Sequence, residues 1–144
     1  MELKDIEMKN WNKFFALFIT VALIGSIQNA YCQNKDLGVG PIKSQPLGEL
    51  DKKMADDGKS LYNSKCMVCH DLDQNKVGPA LRNVTKTRTP EFFMNLMLNT
   101  VQMQKENATI KELTKKYNNV PMPDPALKQN QARSILEYLR SVAK

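Results

Sequence analysis

The chain has 144 residues, with 21 Lys and Arg, 15 Asp and Glu, three Cys and one His, and a formal net charge of +6. This length, with 42% hydrophobic and 25% charged residues, predicts one globular domain and excludes a disordered chain and a multi-span membrane protein. The single His excludes any site that needs two imidazoles from one chain, such as His-rich zinc sites and HExxH proteases.

The N-terminal segment, residues 1–32, is predicted to be a signal peptide. The apolar run 14–27 follows a basic flank, and no charge occurs between Lys13 and Lys35. A basic flank, an apolar run of this length and small residues after it are typical of a secretory signal. We expect cleavage after Cys32 or two residues earlier. Retention as a single N-terminal anchor and lipidation of Cys32 stay open as alternatives, and in each case the remainder is exported.

Residues 33–48 contain three Gly and two Pro and show no apolar periodicity, so the sequence predicts a flexible linker. From residue 49 to residue 144, apolar residues recur at spacings of three and four in four stretches, which predicts four helices. The second of these helices has a clear start, because Thr89 is a hydroxyl N-cap residue and Pro90 suits the first helical position.

Two long segments of the predicted domain show no helical period. The first covers 71–88, and the second contains three prolines within 120–125, which remove backbone donors and force extended conformations on the preceding residues. No alternation of β-branched residues occurs in the chain. The sequence therefore predicts an all-α domain over 49–144, with four helices and two long loops.

Residues 66–70 form the motif Cys-Met-Val-Cys-His. In an exported chain this C-x-x-C-H pattern predicts covalent attachment of a c-type haem. Two thiols three positions apart can each add to one vinyl group of the porphyrin, and the adjacent imidazole then reaches the iron. A structural zinc site lacks a fourth ligand here, a thioredoxin-like dithiol lacks the strands that it needs, and a disulfide across two residues would be strained.

The order of several short motifs around this pentapeptide resembles that of the class I c-type cytochromes. A Gly and an aromatic residue precede the first Cys by eight and four positions, a Gly-Pro-x-Leu segment follows the His, a Met lies between two prolines, and the chain ends in an aliphatic-x-x-Tyr-Leu pattern. The resemblance spans roughly residues 50–143. It implies a cytochrome c fold, with helices and long loops wrapped around one covalent haem.

The resemblance assigns roles to individual residues. Cys66 and Cys69 would bind the haem, His70 would be the proximal iron ligand, and Met122 would supply the sixth ligand. The carbonyl of Pro79 would accept a hydrogen bond from the other ring nitrogen of the histidine. The other roles implied are a close crossing of the first and last helices at Gly58, against Ile135 and Tyr138, a family aromatic at Tyr62, and pocket walls at Leu81 and Leu127.

The sixth ligand can also be considered from the residues themselves. Without a second His, a closed low-spin site needs Met, Lys or a backbone nitrogen. Met122 lies in a stiff proline-flanked loop, which can hold a ligand with little loss of entropy. Met103, near the end of a predicted helix, is the competing residue, and an open sixth position is the third alternative.

These observations predict a one-electron carrier without enzymatic activity. Two alternatives stay open: a catalytic, gas-binding or peroxide-binding haem protein with a labile sixth ligand, and a tethered haem subunit of a larger respiratory complex. We expect redox-partner proteins with acidic surfaces, a periplasmic location, no nucleic acid, and membrane attachment only if 1–32 is retained. The basic residues that could form a positive ring around the pocket are Lys65, Lys76, Lys86, Arg88 and Lys128, and ordinary solvated surface charge stays open as the alternative.

Overall fold

The structure, a computed structural model, describes residues 36–144. The predicted signal peptide lies outside these residues. Six helices occur in the described part of the chain: α1 (Lys52–Lys65), α2 (Val84–Thr87), α3 (Pro90–Leu98), α4 (Thr100–Glu106), α5 (Ala108–Lys116) and α6 (Gln129–Val142). No strand occurs there, so the predicted all-α class is confirmed, with six helices instead of four. Between residues 36 and 144, no helix is both long enough and apolar enough to cross a bilayer.

Two of the six helices in residues 36–144 were not predicted as separate elements. The stretch predicted as one helix after Thr89 is split into α3 and α4, because Asn99 leaves the helical conformation with φ −144° and ψ 46°. The short helix α2 lies within the segment predicted as a loop. Helix α3 begins as predicted, since the Thr89 side chain accepts a hydrogen bond from the Phe92 amide at 3.1 Å.

Helices α1 and α6 make the most extensive contact of the domain and cross at Gly58. A Cβ atom built on Gly58 would lie 1.9 Å from the Ser134 carbonyl oxygen and 3.0 Å from the Ile135 nitrogen. The close crossing implied by the resemblance is therefore present, with the backbone of Ser134 as the nearest group. One turn further along, the rings of Tyr62 and Tyr138 pack with their centroids 5.3 Å apart.

The segment 36–48 has no regular secondary structure, but it packs against the helices. Ile42 is buried in the main core with 5% of its surface exposed. Its amide donates to Asn95 Oδ1 at 2.8 Å, and Asn95 Nδ2 donates to the carbonyls of Leu37 and Ile42. The expectation of a flexible linker is therefore corrected for residues 36–42, because a buried side-chain amide satisfies their backbone groups. Hydrogen bonds between a side-chain amide and the backbone of a distant segment leave no periodic pattern in the sequence.

Candidate functional site

The end of α1 shapes the pentapeptide at residues 66–70. The Cys66 amide donates to the Tyr62 carbonyl at 2.8 Å and closes the last helical turn. The amides of Cys69 and His70 then both donate to the Cys66 carbonyl, at 3.1 and 2.8 Å. This tight turn brings Cys66, Cys69 and His70 to the wall of the same cavity.

The His70 imidazole is held by its immediate surroundings. Its Nδ1 lies 2.9 Å from the Pro79 carbonyl oxygen, the contact that the resemblance implies. A carbonyl only accepts, so Nδ1 is the donor in this contact, and Nε2 is the ring nitrogen that the neutral imidazole would offer to a metal ion. Gly78 leaves room for the ring, because a Cβ built there would lie 2.4 Å from His70 Cε1. The Tyr62 hydroxyl donates to the His70 carbonyl at 3.3 Å.

Two adjoining cavities form one cleft beside His70. They have six lining residues in common, which are Cys66, Cys69, His70, Met97, Met122 and Pro123. Leu81 lines the first cavity and Leu127 the second, as the resemblance implies. Most of the remaining wall of the first cavity is apolar and comes from α3, α5 and the loops around them, including Phe92, Phe93, Leu96, Ile110, Leu113 and Val120.

The residues around the cleft fit a covalently bound haem. Thiols and an imidazole on an apolar wall are the groups that attach and ligate this flat, largely apolar macrocycle. Burial, together with the neighbouring Cys69, raises the pKa of the Cys66 thiol to about 11, unlike the reactive thiolate of a redox dithiol. Within residues 36–144, no three His, Cys, Asp or Glu side chains are grouped closely enough to hold a metal ion together.

The structure places the two methionines considered as sixth ligand in different parts of the domain. Met122 lines both parts of the cleft together with His70. Met103 is fully buried in a second cluster with Phe92 and Ile110, and its sulfur accepts a hydrogen bond from the Val39 amide at 2.9 Å. Of this pair, only Met122 is brought to the cleft.

The five predicted basic residues do not all surround the cleft. Lys65 and Arg88 line it, and the Arg88 guanidinium also lies 5.3 Å from the centroid of the Phe92 ring. The exposed Lys76 ammonium donates to the Met67 carbonyl at 2.8 Å, on the outer side of the pentapeptide. Lys86 instead donates to the Lys144 carbonyl, and Lys128 precedes the first residue of α6.

Two polar residues of the site were not identified from the sequence. Asn75 Oδ1 accepts hydrogen bonds from the Ala80 amide and the Tyr117 hydroxyl, both at 3.0 Å, and so joins the loop after His70 to the end of α5. Gln104 lines the cleft and contacts the Met122 backbone. Neither residue lies in a motif. The apolar spacing in α5 predicts a helix face but not that this face forms a cavity wall.

Comparisons with known proteins agree on one family. The family model for cytochrome c matches residues 55–143. Cytochrome c-551 from Stutzerimonas stutzeri is 27% identical over 105 residues, which cover 72% of this chain and 88% of that protein. The solved cytochrome c from Rhodothermus marinus is 48% identical, with a TM-score of 0.70 over 72% of this chain and 90% of that one. An engineered version of it, bound to a carbene intermediate, is 47% identical over the same shares, with a TM-score of 0.67.

Proposed function

The chain belongs to the cytochrome c family, and on this premise we propose that it transfers one electron at a time through a haem iron ligated by His70 and Met122. As a member of the family it is a haem-based electron carrier with covalently bound haem c. One observation supports the ligand pair most directly: His70 and Met122 line the same apolar cleft, together with both cysteines of the attachment motif. Met97 also lines this cleft, but its side chain is packed in the main core on α3 with 3% of its surface exposed, whereas Met122 is half-buried in the proline-flanked loop.

Each part of the site has a separate task in this proposal. When bound, the haem supplies reversible exchange of a single electron at its iron. Cys66 and Cys69 fix the group in place, and the Pro79 carbonyl keeps the His70 imidazole in the tautomer with Nε2 free. The neutral thioether of Met122 favours the reduced state, and the apolar walls exclude water and so limit reorganisation on electron transfer.

We also propose that the chain has no catalytic role. Its single His is engaged as a ligand in this account, so no second imidazole is left for acid–base work at the cleft. The carboxyl group on the cleft wall, Asp124, accepts a hydrogen bond from the Ala126 amide at 2.8 Å and serves the local loop. A closed sixth position would also keep substrates from the iron.

The surface around the attachment motif supports docking of an acidic redox partner. Val68 is 78% exposed and Met67 48% exposed, and the exposed ammonium groups of Lys65 and Lys76 flank them. An apolar patch beside positive charges favours encounter with a negatively charged protein. We expect the oxidation rate by anionic ferricyanide to fall in Lys65→Glu and to remain near wild type in Lys59→Glu. Equal effects of both substitutions would contradict the assignment.

Export to the periplasm remains a proposal supported by the leader pattern of residues 1–32. N-terminal sequencing of the haem-bearing protein from a periplasmic fraction tests it. A mature N-terminus near residue 33 is expected. An intact leader on membrane-bound protein would favour retention as an anchor.

The optical spectrum of the oxidised haem protein tests the ligand pair. Wild type is expected to show a weak far-red sulfur–iron band, which Met122→Ala should lose. Met103→Leu is the control, because that side chain lies in the second core cluster and its replacement should leave the band in place. A band that persists in Met122→Ala, or a high-spin wild-type spectrum, would contradict ligation by Met122.

A further inference from the structure

The side chain of Gln104, near the middle of α4, pairs with both backbone polar groups of Met122. Its Oε1 accepts a hydrogen bond from the Met122 amide at 3.0 Å, and its Nε2 donates to the Met122 carbonyl at 2.9 Å. Both residues line the cleft and both are half-buried. A single side chain thus fixes the orientation of the backbone at the residue proposed as the sixth ligand.

The sequence around Met122 makes this pairing specific. Pro121 and Pro123 have no backbone N–H, so Met122 supplies the one main-chain donor of the three-residue segment. That donor is used entirely by Gln104. Nε2 also donates to the Thr100 carbonyl, one turn earlier in α4, at 3.3 Å. This contact keeps Nε2 toward the Met122 carbonyl and Oε1 toward the Met122 amide.

We infer that Gln104 is a positioning residue that holds the Met122 loop against the cleft and makes replacement of its thioether by other ligands less favourable. The inference rests on the proposed ligation by Met122. Proline stiffness limits the shapes of the loop, but it does not anchor the loop to the helices; the two hydrogen bonds to α4 do so. Without them, the loop should open more often, and an external ligand should compete more successfully for the sixth position.

Imidazole binding to the oxidised haem protein, followed by absorbance, measures this competition. Each hydrogen bond of this kind contributes roughly fivefold to an equilibrium, so Gln104→Leu is expected to bind imidazole about ten to thirty times more tightly than wild type. Gln104→Glu keeps an acceptor for the Met122 amide but places a second carboxylate oxygen against the Met122 carbonyl, where two acceptors repel each other, so this variant should also bind imidazole more tightly than wild type. Gln102→Leu is the matched control on α4, because its amide contacts the exposed Glu106.

The outcomes separate this inference from the proposed function. A purely structural role of Gln104 would lower thermal stability without changing imidazole affinity, so an affinity within twofold of wild type in Gln104→Leu would overturn the inference. If that variant does not accumulate as haem protein, an unchanged affinity in Gln104→Glu would overturn it equally. If wild type already binds imidazole as tightly as Met122→Ala and shows no far-red band, ligation by Met122 itself is refuted, and the role of Gln104 with it.

Discussion

Replacement of Gly58 by Ala tests the packing that supports the site. The new methyl group would lie 1.9 Å from the Ser134 carbonyl oxygen and 2.5 Å from its carbon, and both are backbone atoms within α6. Neither can rotate away, so α1 and α6 must separate. Overpacking of this kind typically costs about 1–3 kcal/mol, and a clash with backbone belongs at the upper end. Ala is about 1 kcal/mol better than Gly within a helix, so the net loss is about 2 kcal/mol.

Chemical denaturation of the haem protein measures this loss, with Gly48→Ala as the control. Gly48 has no atom within 4 Å of a built Cβ, so the control should unfold within about 0.5 kcal/mol of wild type. A Gly58→Ala protein as stable as wild type would refute the reasoning. It would mean that the helices can separate without cost and that helix propensity alone decides the outcome.

Two further substitutions test contacts away from the cleft. Asn95→Ala removes the side-chain partner of the buried Ile42 amide and carbonyl and of the half-buried Leu37 carbonyl. We expect a loss of about 2–4 kcal/mol by urea unfolding and faster proteolysis within residues 36–48. Unchanged values would show that the segment is not held by this side chain. In Asp73→Asn the ion pair with Arg82 is lost. The Arg82 hydrogen bonds lower the pKa of Asp73 from 3.8, so this carboxylate adds stability above that pH, which is lost as pH falls through the lowered pKa. The thermal midpoints of wild type and Asp73→Asn should therefore differ at neutral pH and converge in acid, and a difference that stays constant with pH would contradict this origin.

The parts of the site that depend on local spacing could be predicted from the sequence. The C-x-x-C-H pattern at 66–70 identified the two thiols and the imidazole that share one cavity wall, and the start of α3 follows from a single N-cap residue and the proline after it. The close helix crossing was implied at Gly58 by the resemblance, and the structure places the Ser134 carbonyl there. These features depend on residues that are close in sequence or that belong to an ordered series of motifs.

The features that could not be predicted depend on pairing between distant polar residues. Asn95 and Gln104 each satisfy backbone groups of a segment far away in the chain, and neither interaction creates a period or a motif. The break between α3 and α4 at Asn99 was also not predicted. The Asn99 side chain donates to the carbonyl of Val39, 60 positions away in the chain, at 3.1 Å. Helix propensity is too weak a signal to foresee such a break.

A spectroelectrochemical titration of the wild-type haem protein tests the central claim most directly, because it follows the electron count and the ligation of the iron together. A single-electron carrier should titrate reversibly with a slope of about 59 mV per tenfold change in the ratio of oxidised to reduced protein. Low-spin spectra of six-coordinate iron are expected at both ends of the titration. A reduced form that is high-spin and binds carbon monoxide rapidly would contradict the account, because it would show a sixth position open to external ligands.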